Sequence, residues 1–215
     1  ECYIRPLMYL QGPMGLNMDQ SRPRVGIAAW EWGPYLGREA ADHGAHMMVS
    51  SFTRLHPNIN MTKSKVSGNY VNSMLVKTLA IRSGYDEAVI LDPQGYVAEC
   101  TGENIFMVRK GVLYTPPLAT VLEGLTRDSV MTMARDEGIR VKEKLFTRDQ
   151  LYIADEVFIT GTVAEMVGIV KVDHRVVRDG QVGPITRRLS QLFAETVHGT
   201  GKHSAEWCDY PGTPV

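Results

Sequence analysis

This sequence has few cysteines, a net charge near zero and no long apolar run, and each of these shortages excludes a class of protein. Its three cysteines, Cys2, Cys100 and Cys208, are odd in number and show no Cys-x-x-Cys spacing. We therefore expect neither a disulfide framework nor a zinc site, and this cysteine content is typical of the reducing cytoplasm. No apolar run reaches membrane-spanning length, and no signal-peptide pattern opens the sequence.

Charge and motif spacing exclude further classes. The net charge is −1 over 215 residues, so no basic field would recruit nucleic acid or anionic lipid, and we expect a small-molecule partner. The six histidines lack metal-ligand spacing, which argues against a metal site. The sequence also contains neither a Gly-x-Ser-x-Gly elbow nor a phosphate-binding P-loop.

Hydrophobic patterning predicts an α+β domain with a mainly antiparallel sheet and few helices. Strands are predicted at residues 3–10, 25–30, 46–51, 88–92, 96–99, 104–108, 112–114, 140–141, 156–160 and 166–172, those from 88 to 114 forming a meander. Helices are predicted through residues 71–79 with Ser67 or Asn69 as N-cap, from Thr126 as N-cap to Glu137, and from Pro184 onward.

Two lysines, Lys63 and Lys65, stand just before the first predicted helix. An amine in that place can project into a cleft, where desolvation would lower its pKa and allow it to form a Schiff base. The same residues equally fit two ordinary solvated lysines beside a helix start. Residue type alone leaves both interpretations open.

Three further polar groups lie where predicted strands end or helices begin. Glu99 and Glu103 end a strand, where a carboxylate could hold a pyridine nitrogen protonated, or Glu103 and Asn104 could simply hydrogen-bond a turn. Gly124 and Thr126 open the second helix, which fits either an anion site or a plain threonine N-cap. Hydroxyl residues around Thr162 could bind a phosphate or carboxylate, or form a tight turn.

The order of the motifs is more specific than any one of them. The sequence reads Tyr-x-Arg-Pro, Trp-Gly-x-Tyr-Leu-Gly, Lys-x-x-Gly-Asn-Tyr, Glu-x-x-Gly-Glu-Asn, Thr-Pro-Pro, Gly-Leu-Thr-Arg and Gly-Thr-x-Ala-Glu. This order resembles the fold-type IV enzymes that use pyridoxal 5′-phosphate, and among them the bacterial-type branched-chain amino acid aminotransferases. The resemblance runs from residue 1 to about Phe193. It implies the D-amino acid aminotransferase-like fold, a large domain with a mainly antiparallel sheet or barrel and flanking helices.

The resemblance implies a cofactor and a set of contacts to it. The cofactor would be pyridoxal 5′-phosphate, and Lys65 would both carry it and move the proton between the substrate Cα and the cofactor C4′. Glu99 is implied to keep the pyridine nitrogen protonated, and Tyr70 to donate to the phenolic oxygen. Leu122 would pack against the ring. The phosphate contacts implied by the resemblance are Leu125, Thr126 and Thr162.

Substrate contacts are implied in the same way. Tyr3 and the backbone of Thr162 and Val163 would receive the α-carboxylate, although Val163 replaces the alanine common in the family. Arg5 would pair with the second carboxylate of glutamate or 2-oxoglutarate, a geometry that suits a guanidinium fork. Two aromatic residues, Trp32 and Tyr35, are implied to line the side-chain pocket or its lid.

The resemblance also implies an assembly and a domain organisation. Leu16 resembles a residue that reaches into the neighbouring subunit's site, so we expect a homodimer or higher homo-oligomer. Residues 1–30 would end a small N-terminal domain, 31–37 would be the connector and 38–215 the large cofactor-binding domain. Because the chain starts at Glu1 without Met and inside a strand-like run, we expect a fragment whose N-terminal small domain is missing.

The implied reaction is transamination of Leu, Ile and Val with 2-oxoglutarate, giving branched-chain 2-oxo acids and L-glutamate. Within the fold, the alternatives are a D-amino acid or R-selective amine transaminase, or an aminodeoxychorismate lyase. These enzymes differ in their carboxylate-binding groups, and the pair Tyr3 and Arg5 favours the branched-chain interpretation. A non-catalytic protein that has lost its cofactor is a third hypothesis, and the retention of Lys65, Tyr70 and Glu99 together argues against it.

Overall fold

The structure, a computed structural model, describes residues 2–33, 35–119 and 121–210, which form two units, Glu1–Tyr35 and Leu36–Val215. The first unit is a hairpin of two nine-residue strands, β1 (Tyr3–Gln11) and β2 (Arg22–Trp30). They pair antiparallel, with Tyr3 opposite Trp30. Both strands are rich in β-branched and aromatic residues, which is why their existence could be predicted from the sequence.

The second unit is built on one mixed sheet. Its strands are β3 (Ala45–Thr53), β4 (Glu87–Leu91), β5 (Val97–Cys100), β6 (Asn104–Arg109), β7 (Val112–Thr115), β8 (Arg140–Glu143), β9 (Glu156–Gly161), β10 (Glu165–Val172) and β11 (Arg175–Val176). Their order is β5-β4-β3-β10-β9-β6-β7-β8, with β11 beside β10. Among the described residues, five pairings are antiparallel and three are parallel, which confirms the prediction of a mainly antiparallel sheet.

The predicted meander is only partly correct. Strands β4 and β5 pair as one hairpin, and β6 and β7 pair as another. Between them the chain changes neighbours, because β6 pairs with β9 rather than with β5. Strand periodicity predicts which face a strand buries, but it does not determine which distant strand becomes the neighbour. Residues 101–103 therefore connect β5, at one edge of the sheet, to β6, which lies between β9 and β7.

Six helices flank the sheet in the described part of the chain. They are α1 (Arg38–His43), α2 (Tyr70–Arg82), α3 (Leu125–Asp136), α4 (Arg148–Tyr152), α5 (Pro184–Val197) and α6 (Ser204–Trp207). The three longer ones, α2, α3 and α5, match the three predicted helices. The other three are too short to show a helical period, although the capping box of Thr147 and Gln150 marks the start of α4. None of the helices described has the length and apolar character required to cross a membrane.

The predicted N-cap position is confirmed for α2 and wrong for α3. Asn69 is the N-cap residue of α2, at the end of a 3₁₀ turn that begins at Ser67, but its side chain makes no capping hydrogen bond to that helix. In α3 the N-cap is Gly124, and Thr126 is already within the first turn. Neither helix start has a side-chain cap, so the first N–H groups of α3 are free of a local side-chain acceptor.

Burial on α2 is the reverse of what its apolar pattern suggests. The face turned to the sheet consists of Ser73, Val76 and Ala80, which are buried against β4 residues such as Ile90. The larger apolar residues, which stand at i, i+3 and i+4 in the sequence, lie outward, with Val71 54%, Met74 58% and Leu75 52% exposed. Small side chains let α2 approach the sheet closely, and the helix is left with an apolar outer face.

Candidate active site

One cavity in the second unit collects the predicted cofactor contacts. It lies where the ends of β5, β6 and β9 meet the start of α3 and the residues that precede α2. All seven of the predicted residues line it: Lys65, Tyr70, Glu99, Leu122, Leu125, Thr126 and Thr162. They come from separate stretches of the chain, and the sheet order brings those stretches together. The cavity is therefore the candidate active site.

Two loops contribute to the cavity wall. The lysine loop, residues 61–66, carries Lys63 and Lys65. The Leu122 loop, described at residues 116–119 and 121–123, carries Leu122 and leads into α3. Their side-chain contacts distinguish the two lysines that residue type alone left equivalent.

The two lysines have different partners. Lys65 Nζ donates to the Tyr70 hydroxyl over 2.8 Å, and both residues line the cavity. Lys63 Nζ instead contacts the Leu122 loop, where it donates to the carbonyl oxygen of Val121 over 3.3 Å and lies 3.0 Å from the Glu123 carboxylate. The amine available to the cavity is therefore that of Lys65, with one phenolic oxygen to orient it.

The lysine loop is held in place by Asn69. This asparagine is buried, and its amide nitrogen donates to the carbonyl oxygens of Met61 over 3.2 Å and Ser64 over 3.1 Å. Its side-chain oxygen accepts from Asn60 Nδ2 over 2.5 Å. The Asn of the Lys-x-x-Gly-Asn-Tyr motif is thus the N-cap residue of α2 whose side chain anchors the segment that carries Lys65.

Glu99 forms the buried acidic end of the cavity. Its Oε1 lies 2.6 Å from Arg54 Nη2, and its Oε2 accepts the Leu122 backbone N–H over 2.8 Å. Burial raises the pKa of Glu99, while Arg54, the Leu122 N–H and Lys65 each act to lower it. A further cation or N–H donor in the cavity would stabilise this carboxylate for the same reason.

The second carboxyl of the motif, Glu103, has a different setting. Its Oε2 accepts the backbone N–H of Gly102 over 3.1 Å, so this residue makes the turn contact that the sequence allowed. Burial, followed by the nearby Glu87 carboxylate, raises the pKa of Glu103 to about 8. The raised pKa favours the protonated, neutral form of this carboxyl, which lies in the cavity wall.

The start of α3 supplies an anion-binding element. Gly124 is packed so closely that a Cβ there would lie 2.1 Å from Asn104 Oδ1, and Asn104 Nδ2 donates to the Leu122 carbonyl over 3.0 Å. These contacts place the open first turn, with Leu125 and Thr126, on the cavity. Free N–H groups and the positive end of a twelve-residue helix attract a phosphate or carboxylate.

Two buried hydroxyls in the same cavity wall point to a ligand as well. Thr101 Oγ1 and Thr160 Oγ1 are buried and have no hydrogen-bond partner among the residues that the structure describes. A buried hydroxyl without a partner costs free energy, and such groups are common at binding sites. An amine, a buried carboxylate, an open helix start and these two hydroxyls fit a phosphorylated, ring-containing aldehyde.

The predicted substrate contacts are divided between the two units. Thr162 lines the cavity, whereas Val163, half-buried and next in sequence, is not among the described residues that do so. In the first unit, the ring centroids of Tyr3 and Trp32 are 5.1 Å apart, and those of Trp32 and Tyr35 are 6.3 Å apart. The Arg5 guanidinium carbon lies 5.1 Å over the Tyr3 ring. These four residues thus form one aromatic and cationic cluster.

Sequence reasoning missed three residues that shape the cavity: Arg54, Asn69 as a loop anchor, and Asn104. Arg54 follows β3 in a stretch that shows no hydrophobic periodicity. It reaches Glu99 because β3 pairs with β4, and β4 pairs with β5. Asn104 has a detectable signal, because it follows Glu99 at fixed spacing within Glu-x-x-Gly-Glu-Asn.

Comparison with known proteins identifies the class to which this fold and cavity belong. The model of the family described as amino-transferase class IV matches residues 2–172, and this chain belongs to that family. Its enzymes transfer amino groups, and the α+β fold-type IV architecture predicted from the motifs is confirmed.

Two relatives and one solved structure that are similar to this chain carry the name branched-chain amino acid aminotransferase. The branched-chain-amino-acid aminotransferase of Pseudomonas aeruginosa is 47% identical over 206 residues, which cover 95% of this chain and 67% of that protein. The Escherichia coli K12 enzyme of the same name is 42% identical, over 96% of this chain and 68% of its own. The crystal structure of an E. coli branched-chain amino acid aminotransferase superposes with a TM-score of 0.94 at 43% identity, over 97% of this chain and 70% of that one.

A further solved structure carries the cofactor. The branched-chain amino acid aminotransferase of Thermobaculum terrenum in its pyridoxal 5′-phosphate holo-form superposes with a TM-score of 0.89 at 36% identity, over 96% of this chain and 67% of that one. With the family match, this likeness confirms the cofactor predicted from the motifs.

Proposed function

We propose that this chain carries the cofactor site of a pyridoxal 5′-phosphate-dependent aminotransferase that transfers amino groups from Leu, Ile and Val to 2-oxoglutarate. The observation that carries the proposal is the cavity in which Lys65 and Tyr70 share a hydrogen bond across from a buried Glu99 and the open start of α3. The specificity is supported by relatives named branched-chain-amino-acid aminotransferase at 40–47% identity over most of the chain.

Each polar group of the cavity has a defined task in such a reaction. Bound pyridoxal 5′-phosphate would supply a reactive carbonyl carbon and a ring that accepts negative charge from the substrate Cα. The Lys65 amine would hold the cofactor through that carbonyl carbon, and it is the base that would take up and return a proton at the substrate Cα. Tyr70, already 2.8 Å from Lys65 Nζ, orients this amine.

The remaining groups bind and orient. Glu99, buried and paired with Arg54, would accept a ring N–H and keep that nitrogen cationic. The first turn of α3, with Leu125 and Thr126, would bind the phosphate together with the Thr162 hydroxyl. Leu122, whose N–H is held by Glu99, would pack on the ring face.

We also propose that the first unit contributes substrate contacts. Tyr3 and the Thr162–Val163 backbone would bind the α-carboxylate, and Arg5 the second carboxylate of glutamate or 2-oxoglutarate. Trp32 and Tyr35 would line the side-chain pocket or its lid. The aromatic and cationic cluster of the first unit, Tyr3, Arg5, Trp32 and Tyr35, supports a shared role for these four residues.

The domain organisation is a proposal of the same kind. We keep residues 1–30 as the end of a small domain, 31–37 as the connector and 38–215 as the cofactor-binding domain. The boundary between the two units, after Tyr35, falls within the proposed connector. We further propose that the enzyme acts in the reducing cytoplasm, which is supported by three cysteines that are all free.

A homodimer is the proposed assembly. The outward face of α2, with Val71, Met74 and Leu75 each more than half exposed, is a contiguous apolar stripe of the kind that subunits bury. On the first unit, Leu16 is fully exposed at the loop between β1 and β2. Sedimentation equilibrium should give twice the chain mass, and Met74→Glu should shift it toward the monomer. A monomeric wild-type protein would contradict this assembly.

One experiment tests the lysine assignment. Borohydride added to the protein loaded with pyridoxal 5′-phosphate should fix the cofactor, and peptide mass mapping should locate the added mass on Lys65. A label on Lys63 would overturn the assignment, and Lys65→Ala that still turned over substrate would overturn the mechanism.

A second experiment tests the substrate class. The donors L-leucine, D-leucine, L-alanine and both enantiomers of 1-phenylethylamine are supplied with 2-oxoglutarate, and glutamate is measured. We expect L-leucine to be the best donor, with D-leucine and 1-phenylethylamine inactive. Preference for D-leucine or for the R-amine would reassign the enzyme to another fold-type IV activity.

A further inference from the structure

The two loops of the cavity wall are fixed to the core independently. The lysine loop is anchored by Asn69, which binds the carbonyl oxygens of Met61 and Ser64. The Leu122 loop is anchored at Leu122, where Glu99 accepts the backbone N–H and Asn104 binds the carbonyl. Each loop therefore has a fixed end, and Leu118 and Val121 belong to the stretch of the Leu122 loop that precedes Leu122.

Lys63 joins that stretch to the lysine loop. Its ammonium donates to the carbonyl oxygens of Leu118 and Val121, the latter over 3.3 Å, and it lies 3.0 Å from the Glu123 carboxylate. A lysine has three N–H donors. All three are matched by acceptors from one loop, which is a more complete arrangement than a single surface ion pair provides.

We propose that Lys63 is a positioning residue that holds the Leu122 loop against the lysine loop and thereby slows release of the phosphorylated cofactor. This inference rests on the proposed function, because it needs the cavity between the two loops to be the cofactor site. Lys63 is two residues from Lys65, and Glu123 immediately precedes the N-cap of α3. The contact thus connects the amine end of the cavity with its anion-binding end.

The energetics separate this role from a purely structural one. The side chains of Lys63 and Glu123 are 42% and 62% exposed, so their ion pair contributes little to overall stability. Loop order is a different quantity, because an unanchored loop must be ordered again each time the ligand binds. The charge of Lys63 also acts on the cavity, since it is among the groups that lower the pKa of Glu99 against the larger effect of burial.

The test compares the full chain with Lys63→Met, Lys63→Arg and a control, Lys202→Met. Lys202 is also an exposed lysine in an ion pair, 2.9 Å from Asp136, and it is not among the cavity residues. The dissociation constant and release rate of pyridoxamine 5′-phosphate are measured, together with the circular dichroism of the bound ring. We expect roughly tenfold weaker binding and faster release for Lys63→Met, at unchanged ligand-free stability. Lys63→Arg should recover part of the loss, and Lys202→Met should match the wild type.

A second readout distinguishes the failure of this inference from failure of the proposed function. Amide hydrogen exchange of Val121 and Leu122 in ligand-free protein should be faster in Lys63→Met, whatever ligand the cavity takes. A wild-type protein that does not bind pyridoxamine 5′-phosphate would overturn the proposed function. Unchanged exchange, or equal losses in Lys63→Met and Lys202→Met, would overturn the role of Lys63.

Discussion

The Glu99 carboxylate lies 2.6 Å from the Arg54 guanidinium, and both side chains are more than nine-tenths buried. Neither residue is close to the other in the sequence, and the pair forms only because β3, β4 and β5 are neighbours in the sheet. A buried ion pair adds little net stability compared with apolar side chains, but it is costly to break. Both residues line the cavity, which places this costly pair at the candidate active site.

Arg54→Met should destabilise the protein strongly, because it leaves Glu99 as a buried charge without its partner. We expect the free energy of unfolding in urea at neutral pH to fall by roughly 3–5 kcal/mol. Arg109→Met is the control, since it removes an ion pair to Asp155 in which both side chains are about 40% exposed. That control should cost at most about 1 kcal/mol. Equal losses in the two variants would show that burial of the Glu99 pair is unimportant.

Glu103→Gln should change how stability depends on pH. In the folded protein, burial and Glu87 raise the pKa of Glu103 to about 8 from its ordinary value of 4.5. Between these two values the folded state holds a proton that the unfolded state has lost. The stabilising contribution of Glu103 is therefore fully present below the lower value and is lost as the pH rises through the upper one.

Glutamine stays neutral at every pH, so Glu103→Gln should remove this slope. Urea unfolding is measured at about pH 5, 7 and 8.5. The free energy of unfolding of the variant should rise relative to that of the wild type as the pH increases, by on the order of a few kcal/mol. Glu206→Gln, with a side chain 76% exposed, is the control and should leave the profile unchanged. Parallel profiles for wild type and Glu103→Gln would refute the raised pKa.

Gly124→Ala should disturb the start of α3. The added Cβ would lie 2.1 Å from Asn104 Oδ1, so the asparagine that holds the Leu122 carbonyl must move. We expect a loss of about 1–3 kcal/mol in the free energy of unfolding and weaker binding of pyridoxamine 5′-phosphate. Gly68→Ala is the matched control, because its Cβ would meet no described atom within 4 Å. If both variants unfold alike, the close contact is not what requires glycine at this position.

Tyr70→Phe tests the orientation of the Lys65 amine. The hydroxyl that accepts the Lys65 hydrogen bond at 2.8 Å is lost, while the ring is retained. We expect kcat with L-leucine and 2-oxoglutarate to fall by roughly 10–100-fold, at unchanged thermal stability. Tyr96→Phe, a tyrosine that is not among the cavity residues, should retain wild-type turnover. Full activity in Tyr70→Phe would remove the hydroxyl from the mechanism.

Local elements were predictable where local rules apply. The long strands and the three longer helices follow from side-chain periodicity, and glycines at residues 84 and 138 follow the helices that they end, both with positive φ. Prediction failed for helices of four to six residues, which are too short to show a period. It also failed for the N-cap of α3, where Gly124 stands in close contact with Asn104 and Thr126 is already within the helix.

The sequence by itself determined the family, because the order of seven short motifs can be recognised without knowing the structure between them. The resemblance to that family also gave the set of predicted cavity residues. The place of Lys65 in the Lys-x-x-Gly-Asn-Tyr motif already singled it out, and only the tertiary structure shows why its amine, and not that of Lys63, is available to the cavity. Lys63 and Lys65 are chemically the same, and their difference arises from distant partners, the Leu122 loop for one and Tyr70 for the other. Arg54 became the partner of Glu99 in the same way, because strand order is a property of the whole sheet and leaves no local pattern in the sequence.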